Sequence, residues 1–528
     1  MKALIKAAAL AVFGISAITV AAAEDNSVLR YAIWSNPNGT FHPTLYFSNY
    51  DRAVIFTVYS RLFILDPQQK PVPSLVEKYD YSADGKTLTL HLRPGVKWHD
   101  GQPLTAEDVA FTYASEASPD FPRDRPDFVK RLAGFDDVDS GKAQAPSGIK
   151  VIDPLTVSFT FTAPYSGALA HFADKPVLAK HIWQKVPVKE WNKASQLLRH
   201  PVGSGPYKFV EFISDRYVKL ERNDDYFGDK ARVKTLIFKV SSAQTVQNEI
   251  INGDIDIAEL SSWNPRDLAA YQKAGIRVEE QRGTTAQYLS LDTTNGKLQD
   301  RRVRQALAYG INRQAIVDKL LAGHGQVFNT KESPQSPFYP SVLNPYAYDP
   351  QKAKALLKEA GWVDSNGDGI VEKDGKPFTL TIDYPTGNRT RELTAPIIQQ
   401  NLKAAGINVV LNAADFNATL SILQDGQRKY DGLLMGGTFR PGVYDNNFWW
   451  ERFKSPQLDK FADEFNSTID PAALKTSVGG WLRDINTEVP HVWLYIPNEG
   501  YVLSKRVTHY HSWAYEPFAD VSSWTVQP

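Results

Sequence analysis

Apolar side chains alternate with polar ones at Leu88, Leu90 and Leu92, the period-two pattern of a strand with one buried face. Pro94-Gly95 turns that strand, the apolar pattern resumes through Val96 and Trp98, and Asp100-Gly101 turns it again. The period then changes to that of a helix. Val109, Ala110 and Tyr113 form an inward stripe, Thr105 is placed to cap it, and Asp108 stands at the third helical position, as a capping box requires.

Elsewhere the pattern alternates strands with helices. A strand at 28–33 runs into a turn-rich loop at 34–39, and a helix covers 50–62. Asp84-Gly85 makes a hairpin turn between 79–81 and 87–90, and Asp153-Pro154 joins strands at 148–152 and 156–161. Between them, residues 118–147 are rich in Asp, Pro, Gly and Ser and read as an irregular surface excursion. Strands at 235–240 and 255–257 flank a short helix at 244–251, and another strand covers 287–292. The amphipathic region 300–321 breaks between Gly310 and Asn312. Asp349 caps a helix that has Pro350 at its first position and Gly361 as its stop. A strand at 376–384, a helix at 394–405 and a strand at 406–411 form a βαβ unit; a helix at 415–425 and strands at 430–435 and 491–495 follow. This is the order of an α/β protein.

Composition narrows the setting. Lys2 and Lys6 precede an apolar run at 4–20 and then Ala21-Ala22-Ala23, an Ala-x-Ala cleavage pattern, so residues 1–23 read as a secretory leader and the mature chain as beginning at Glu24. No other long uncharged apolar run follows. There is no cysteine, which excludes disulfides, a thiol nucleophile and thiolate metal sites. The 59 basic residues balance 59 acidic ones, giving no general attraction for nucleic acid. Setting aside the leader from 528 residues leaves more chain than one core supports, so at least two domains are expected. The 12 Trp, 24 Tyr and 26 Phe exceed what cores alone call for and suit a cleft that grips organic ligands.

Catalytic patterns are absent. Ten histidines show no H-E-x-x-H or H-x-x-E-H spacing; His91, His99 and His491 lie in strand-like stretches, where hydrogen bonding and packing are expected of them. Gly203-Ser204-Gly205 lacks the context of a nucleophile elbow, and its glycines lead into proline and a β-rich run where a phosphate loop needs Lys and a helix. Asp364, Asn366, Asp368 and Gly369 match the start of a calcium loop, but its twelfth position is Gly375 where a bidentate Glu is required. That stretch therefore reads as a pair of tight turns within a hairpin.

Three blocks carry a family likeness. LTLHLRPGVKWHDGQPLTAEDVAFTY at 88–113 resembles, nearly word for word, the signature of the large extracellular solute-binding proteins that feed ABC importers for oligopeptides, dipeptides and nickel. PVGSGPYKFVEFISDRYVKLERNDDYF at 201–227 resembles that family's Gly-x-Gly-Pro-Tyr block, and DRRVRQALAYGINRQAIVDKLL at 300–321 is similar to its third strong block. The resemblance implies an α/β, type II-like periplasmic binding protein: two lobes with mixed sheets, a hinge-closed cleft and an extra N-terminal subdomain. It puts lobe I at 24–285 with the subdomain inserted at approximately 60–200, lobe II at 286–485, and a C-terminal segment, 486–528, returning to lobe I. The implied function is capture of a peptide or peptide-like ligand for the transmembrane subunits of an ABC permease, by a monomer that is no enzyme and needs no cofactor. Without a cysteine to carry lipid, the implied location is the periplasm, free of an anchor. A secreted hydrolase and a chaperone-like peptide binder are the alternatives.

Candidate ligand contacts follow the strand ends, where α/β sheets bind. Trp34 and Asn36 follow the first strand, Trp263 follows a later one, and Tyr384 closes the strand before the βαβ helix. Phe439, Arg440, Tyr444, Asp445 and Asn446 lie in the loop after 430–435. In the resembling peptide binders an aspartate near this point pairs with the peptide's α-ammonium; aligned on the strand and its glycine, Arg440 stands in that place. A guanidinium repels an ammonium and grips a carboxylate or phosphate through two parallel bonds. That implies a reversed peptide, a peptide with blocked termini or a non-peptide anionic conjugate, unless a one-residue shift lets Asp445 supply the carboxylate.

Overall fold

The computed structural model describes residues 27–527 apart from positions 68, 333, 335, 337, 425–428, 439–451 and 514. The leader and the loop residues Phe439, Arg440, Tyr444, Asp445 and Asn446 thus lie outside the described residues. Among those described, no helix is long and apolar enough to cross a membrane.

Val28–Ile33 forms as expected and sits inside a seven-stranded mixed sheet, parallel to Thr235–Val240 and to Ile257–Glu259. Glu499–Leu503 and Arg277–Gln281 extend one side; Tyr217–Arg222 and Tyr207–Ile213 extend the other. The second sheet has six strands in the order Gly325–Val327, His491–Pro497, Thr285–Leu291, Gly432–Thr438, Thr379–Pro385, Asn408–Ala414. Its period-two side chains feed two cores. Leu289, Leu434 and Leu494 pack beneath the helices Arg301–Gly310, Pro350–Glu359 and Arg389–Ala404, while Tyr288, Leu433, Met435 and Trp493 pack against Pro456–Asn466 and Pro471–Glu488.

The signature stretch builds a third body. Thr87–Leu92 pairs with Val76–Tyr81 and Thr156–Thr160 in a four-stranded sheet, and Leu88, Leu90 and Leu92 are buried as their alternation requires. Their face packs with Tyr113, Phe128, Phe159 and Phe172, rings that meet edge to face at 5.0–5.8 Å. Thr105 caps Ala106–Ala117, its N–H donating to Asp108 Oδ2 at 2.9 Å. His99 then clasps this body to the Gly-x-Gly-Pro-Tyr block: its N–H donates to the Gly203 carbonyl at 2.7 Å, Nδ1 accepts from Gly203 N–H, and Nε2 donates to the Gly205 carbonyl at 3.1 Å. A neutral ring with its proton on Nε2 satisfies all three, and burial holds its pKa down at about 4. Glycine is needed at 203 because a Cβ there would collide with the Val58 carbonyl.

Local differences from the sequence expectation have local causes. Val96 to Trp98 forms no strand; Trp98 N–H bonds to Gln102 O at 2.8 Å, so the two turns close a tight loop instead. The excursion 118–147 contains the short helices Asp127–Lys130 and Phe135–Asp139, held by buried Phe128 and Val138. The first helix ends at Val58, since the chain must extend at Tyr59 to enter the Phe63–Leu65 strand. Pro350–Glu359 forms with Asp349 as its cap, and Arg301–Gly310 breaks where expected, continuing after Asn312 into a π-turn at Ile316–Leu320. His491–Pro497 belongs to the six-stranded sheet, so the chain rejoins the seven-stranded sheet at Glu499 rather than at 486.

That returning segment shares the third body's core and is also held to it by a buried ion pair. Arg61 Nη1 and Nη2 donate to Glu516 Oε1 and Oε2 at 2.7 and 2.6 Å, both side chains are at most 5% exposed, and the guanidinium lies 4.1 Å over the Phe56 ring. Replacing Arg61 with Met takes the guanidinium away from the buried Glu516 carboxylate, which is expected to destabilise the protein by about 3–5 kcal/mol in denaturant titration; a loss below about 1 kcal/mol would contradict the assignment.

Candidate functional site

Between the seven-stranded and six-stranded sheets lies a cavity of about 840 Å³. Strand ends and the loops that follow them line it: Ile33 to Ser35, Glu259 to Trp263, Thr284 and Thr285, Thr386 to Arg391, Met435 to Thr438 and Pro497 to Tyr501. The chain passes between the two sheets only twice among the described residues, at 282–284 and at Asn498. Glu499 ties the two crossings together. Its Oε1 accepts from Thr284 N–H and Oγ1, both at 3.0 Å, and its Oε2 accepts from Gln281 Nε2 at 3.1 Å.

On the first wall, Trp34 Nε1 donates to Glu259 Oε2 at 3.0 Å. Glu259 is exposed to the cavity yet enclosed by protein; burial and the nearby Glu499 charge push its pKa up to about 7, against the lowering effect of the Trp34 bond. Trp263 Nε1 donates to Asn498 O at 3.0 Å and its ring stacks on His324 with centroids 4.1 Å apart, so the indole braces a crossing as well as lining the cavity. Tyr50 and Phe416 meet at 5.8 Å and join the first sheet's side to the second.

Arg391 forms the opposite wall. Asn388 caps its helix by accepting from Arg391 N–H at 2.9 Å, which places the side chain in the first helical turn and directs it into the cavity. Nε donates to Gln287 Oε1 at 3.2 Å, yet the guanidinium forms no ion pair with a described residue. Only 8% of the residue is exposed, and burial pulls the group below its ordinary pKa without discharging it. A Cβ at position 436 would stand 2.5 Å from Gln287 Nε2 and 2.9 Å from Arg391 Nη2, so any larger residue there would displace the ends of these two side chains. Six basic and five acidic side chains line the cavity among the described residues, so it favours neither a purely anionic nor a purely cationic guest.

Of the residues expected from sequence, Trp34 and Trp263 line the cavity. Asn36 does not: its Nδ2 donates to Ser214 Oγ and its Oδ1 accepts from Asp215 N–H, pinning the loop to the hairpin after Tyr207–Ile213. Tyr384 does not either. It remains within the Thr379–Pro385 strand and packs on the second core, and the lining begins at Thr386. The five candidates from Phe439 to Asn446 lie outside the described residues, although Gly436, Gly437 and Thr438 just before them line the cavity. Arg391, Glu259 and Glu499 had not been singled out. The helix carrying Arg391 starts at 389 rather than 394 and holds Pro396 in its interior, a place where sequence rules put a boundary.

The model of the bacterial extracellular solute-binding proteins, family 5 Middle, matches residues 70–457. The chain is 29% identical over 503 residues to the oligopeptide-binding protein AppA of Bacillus subtilis, covering 91% of this chain and 89% of that protein. It is likewise 29% identical over 445 residues to the dipeptide-binding protein of Escherichia coli, covering 82% and 80%. The structure of the Bacillus subtilis AppA protein in complex with a nonapeptide matches with a TM-score of 0.84 at 26% identity, covering 95% of this chain and 99% of that one.

With its folded pKa raised above the ordinary carboxyl value, Glu259 contributes stability that is present in acid and lost as pH rises through about 7. Glu259→Gln keeps the Trp34 bond and removes the charge beside Glu499. The ligand-free variant is expected to match the parent's thermal midpoint at pH 5 and exceed it at pH 8; equal midpoints at both would contradict the raised pKa.

Proposed function

The chain belongs to the bacterial extracellular solute-binding proteins of family 5, and we propose that it captures a peptide or peptide-like ligand in the cavity between its two sheets and hands it intact to an ABC permease. The observation that carries this reading is Arg391, a buried guanidinium facing the cavity with no acidic partner among the described residues. Such a charge is costly alone and strongly stabilised by a carboxylate that meets it edge on. A ligand carboxylate supplies that partner. The ligand's ammonium is then drawn to the other wall, to Glu259 beside Glu499.

Side chains of the ligand would rest on Trp34, Tyr50, Trp263 and Phe416, rings that supply contact area without demanding one partner. The volume lies in the upper part of the usual range for ligand sites and suits several residues of peptide rather than a single amino acid. Contacts from both walls favour the closed arrangement, so binding and closure are one equilibrium. No chemical step enters this scheme. In the same reading residues 1–23 are a leader cleaved on export, and the protein acts as a periplasmic monomer with no affinity for nucleic acid.

Calorimetry with trialanine, its carboxyl-amidated form and its amino-acetylated form tests the polarity. Amidation is expected to weaken binding at least tenfold, and Arg391→Met to erase that difference. Acetylation is expected to weaken binding at pH 8, with the free peptide losing affinity as pH falls below about 7 and Glu259 takes up a proton. Equal affinity for the amidated and free forms would overturn the Arg391 assignment. Tighter binding of the acetylated form would favour an anionic conjugate held by Arg440.

A further inference from the structure

One loop remote from the cavity carries a cluster of oxygen donors that ligand capture does not use. Between the helix Pro350–Glu359 and the strand Thr379–Pro385, Asp364, Asn366, Asp368 and Glu372 stand at positions one, three, five and nine of DSNGDGIVE. Carboxylate oxygens of Asp364, Asp368 and Glu372 all lie within 4.8 Å of one another. None of the three carboxylates forms an ion pair with a described residue. Loop N–H groups offset part of their charge, Gly367 and Gly369 donating to Asp364 and Ile370 to Asp368, and a cation among the three relieves the repulsion that remains.

Glu372 is the second and separate indication. It is 9% exposed, and its Oε2 accepts from Ser365 N–H at 2.8 Å and from Ser365 Oγ at 2.9 Å. Its Oε1 is enclosed with no hydrogen-bond partner, and one oxygen of the same carboxylate lies within 4.8 Å of an oxygen of each aspartate. A buried carboxylate oxygen without a donor costs free energy, and a bound cation removes that cost.

We propose that this loop binds one calcium ion. The donors are all oxygen, which selects a hard cation, and a loop with several carboxylates suits the large, flexible coordination shell of calcium better than the strict octahedron of magnesium. Asp364, Asn366 and Asp368 supply side-chain oxygens, and Glu372 supplies the closing carboxylate. Sequence spacing alone looked for that carboxylate at position twelve and found Gly375. Paired backbone bonds between Val363 and Glu372, each 2.9 Å, fold the loop back on itself so that position nine closes the ring three residues earlier.

The ion would staple the loop to the second sheet's edge. Trp362, just before it, packs on Phe378 with ring centroids 4.6 Å apart, and Val371 N–H, just inside its end, bonds to Gly406 O at 2.8 Å. Calcium addition to chelator-treated mature protein, followed by calorimetry and thermal melting, tests the site. One ion per chain is expected with a dissociation constant of roughly 0.1–1 mM, the range of extracellular calcium modules, together with a raised thermal midpoint that magnesium does not reproduce. Asp368→Asn and, separately, Asp364→Asn are expected to weaken calcium binding at least tenfold while leaving trialanine affinity unchanged. These two positions are exposed, so the variants keep the fold. No binding heat and no shift of midpoint at calcium tenfold above that range would overturn the proposal, as would undiminished binding in both variants.

Discussion

The carboxylate of Glu499 is the knot on which the molecule's mechanics depend. The chain passes between the two sheets at 282–284 and at Asn498, and this one side chain, directly after the second crossing, accepts hydrogen bonds from Gln281 just before the first and from Thr284 within it. Two crossings tied side by side act as a single hinge. They leave each sheet free to keep its own core and to move as a body, and they leave the space beyond the hinge to be filled by a guest. Trp263 bonding to Asn498 O braces the same point from the first sheet.

That position also gives Glu499 an electrostatic role. It lies near enough to Glu259 to raise the latter's pKa, so the hinge side of the cavity gathers negative charge, while Arg391 sits on the opposite wall with no ion pair among the described residues. Charges held apart inside a protein are costly when empty and complementary when a ligand with two charged ends bridges them. On the function proposed above, the cleft is matched to a zwitterion, and part of the ligand's affinity comes from bridging these charges.

Much of the fold was legible because its signals are local. The alternation of Leu88, Leu90 and Leu92, the Thr105 cap with Asp108, and the Asp349-Pro350 start each determine structure within a few residues. His99 was legible as a packing residue, but its clasp on Gly203 and Gly205 joins segments a hundred positions apart and leaves no local trace. The site was less legible for the same reason. Trp34 and Trp263 line the cavity because strand ends face it, and Asn36 and Tyr384 do not, since that rule does not say which residue of a loop or strand end turns inward. Arg391 was hidden by Pro396: tertiary packing against the second sheet retains a proline inside the helix that local rules would end. Glu372 was hidden by counting to a fixed loop length that a hairpin bridge shortens.

The central claim is that two bodies joined at one hinge close over a guest, and small-angle scattering with and without trialanine tests it most directly. At ligand concentrations where calorimetry shows saturation, the account predicts a smaller radius of gyration for the loaded protein and a return to the larger value once the peptide is dialysed away. An unchanged radius at full occupancy would mean that the guest sits on a rigid surface, and the capture mechanism would be wrong.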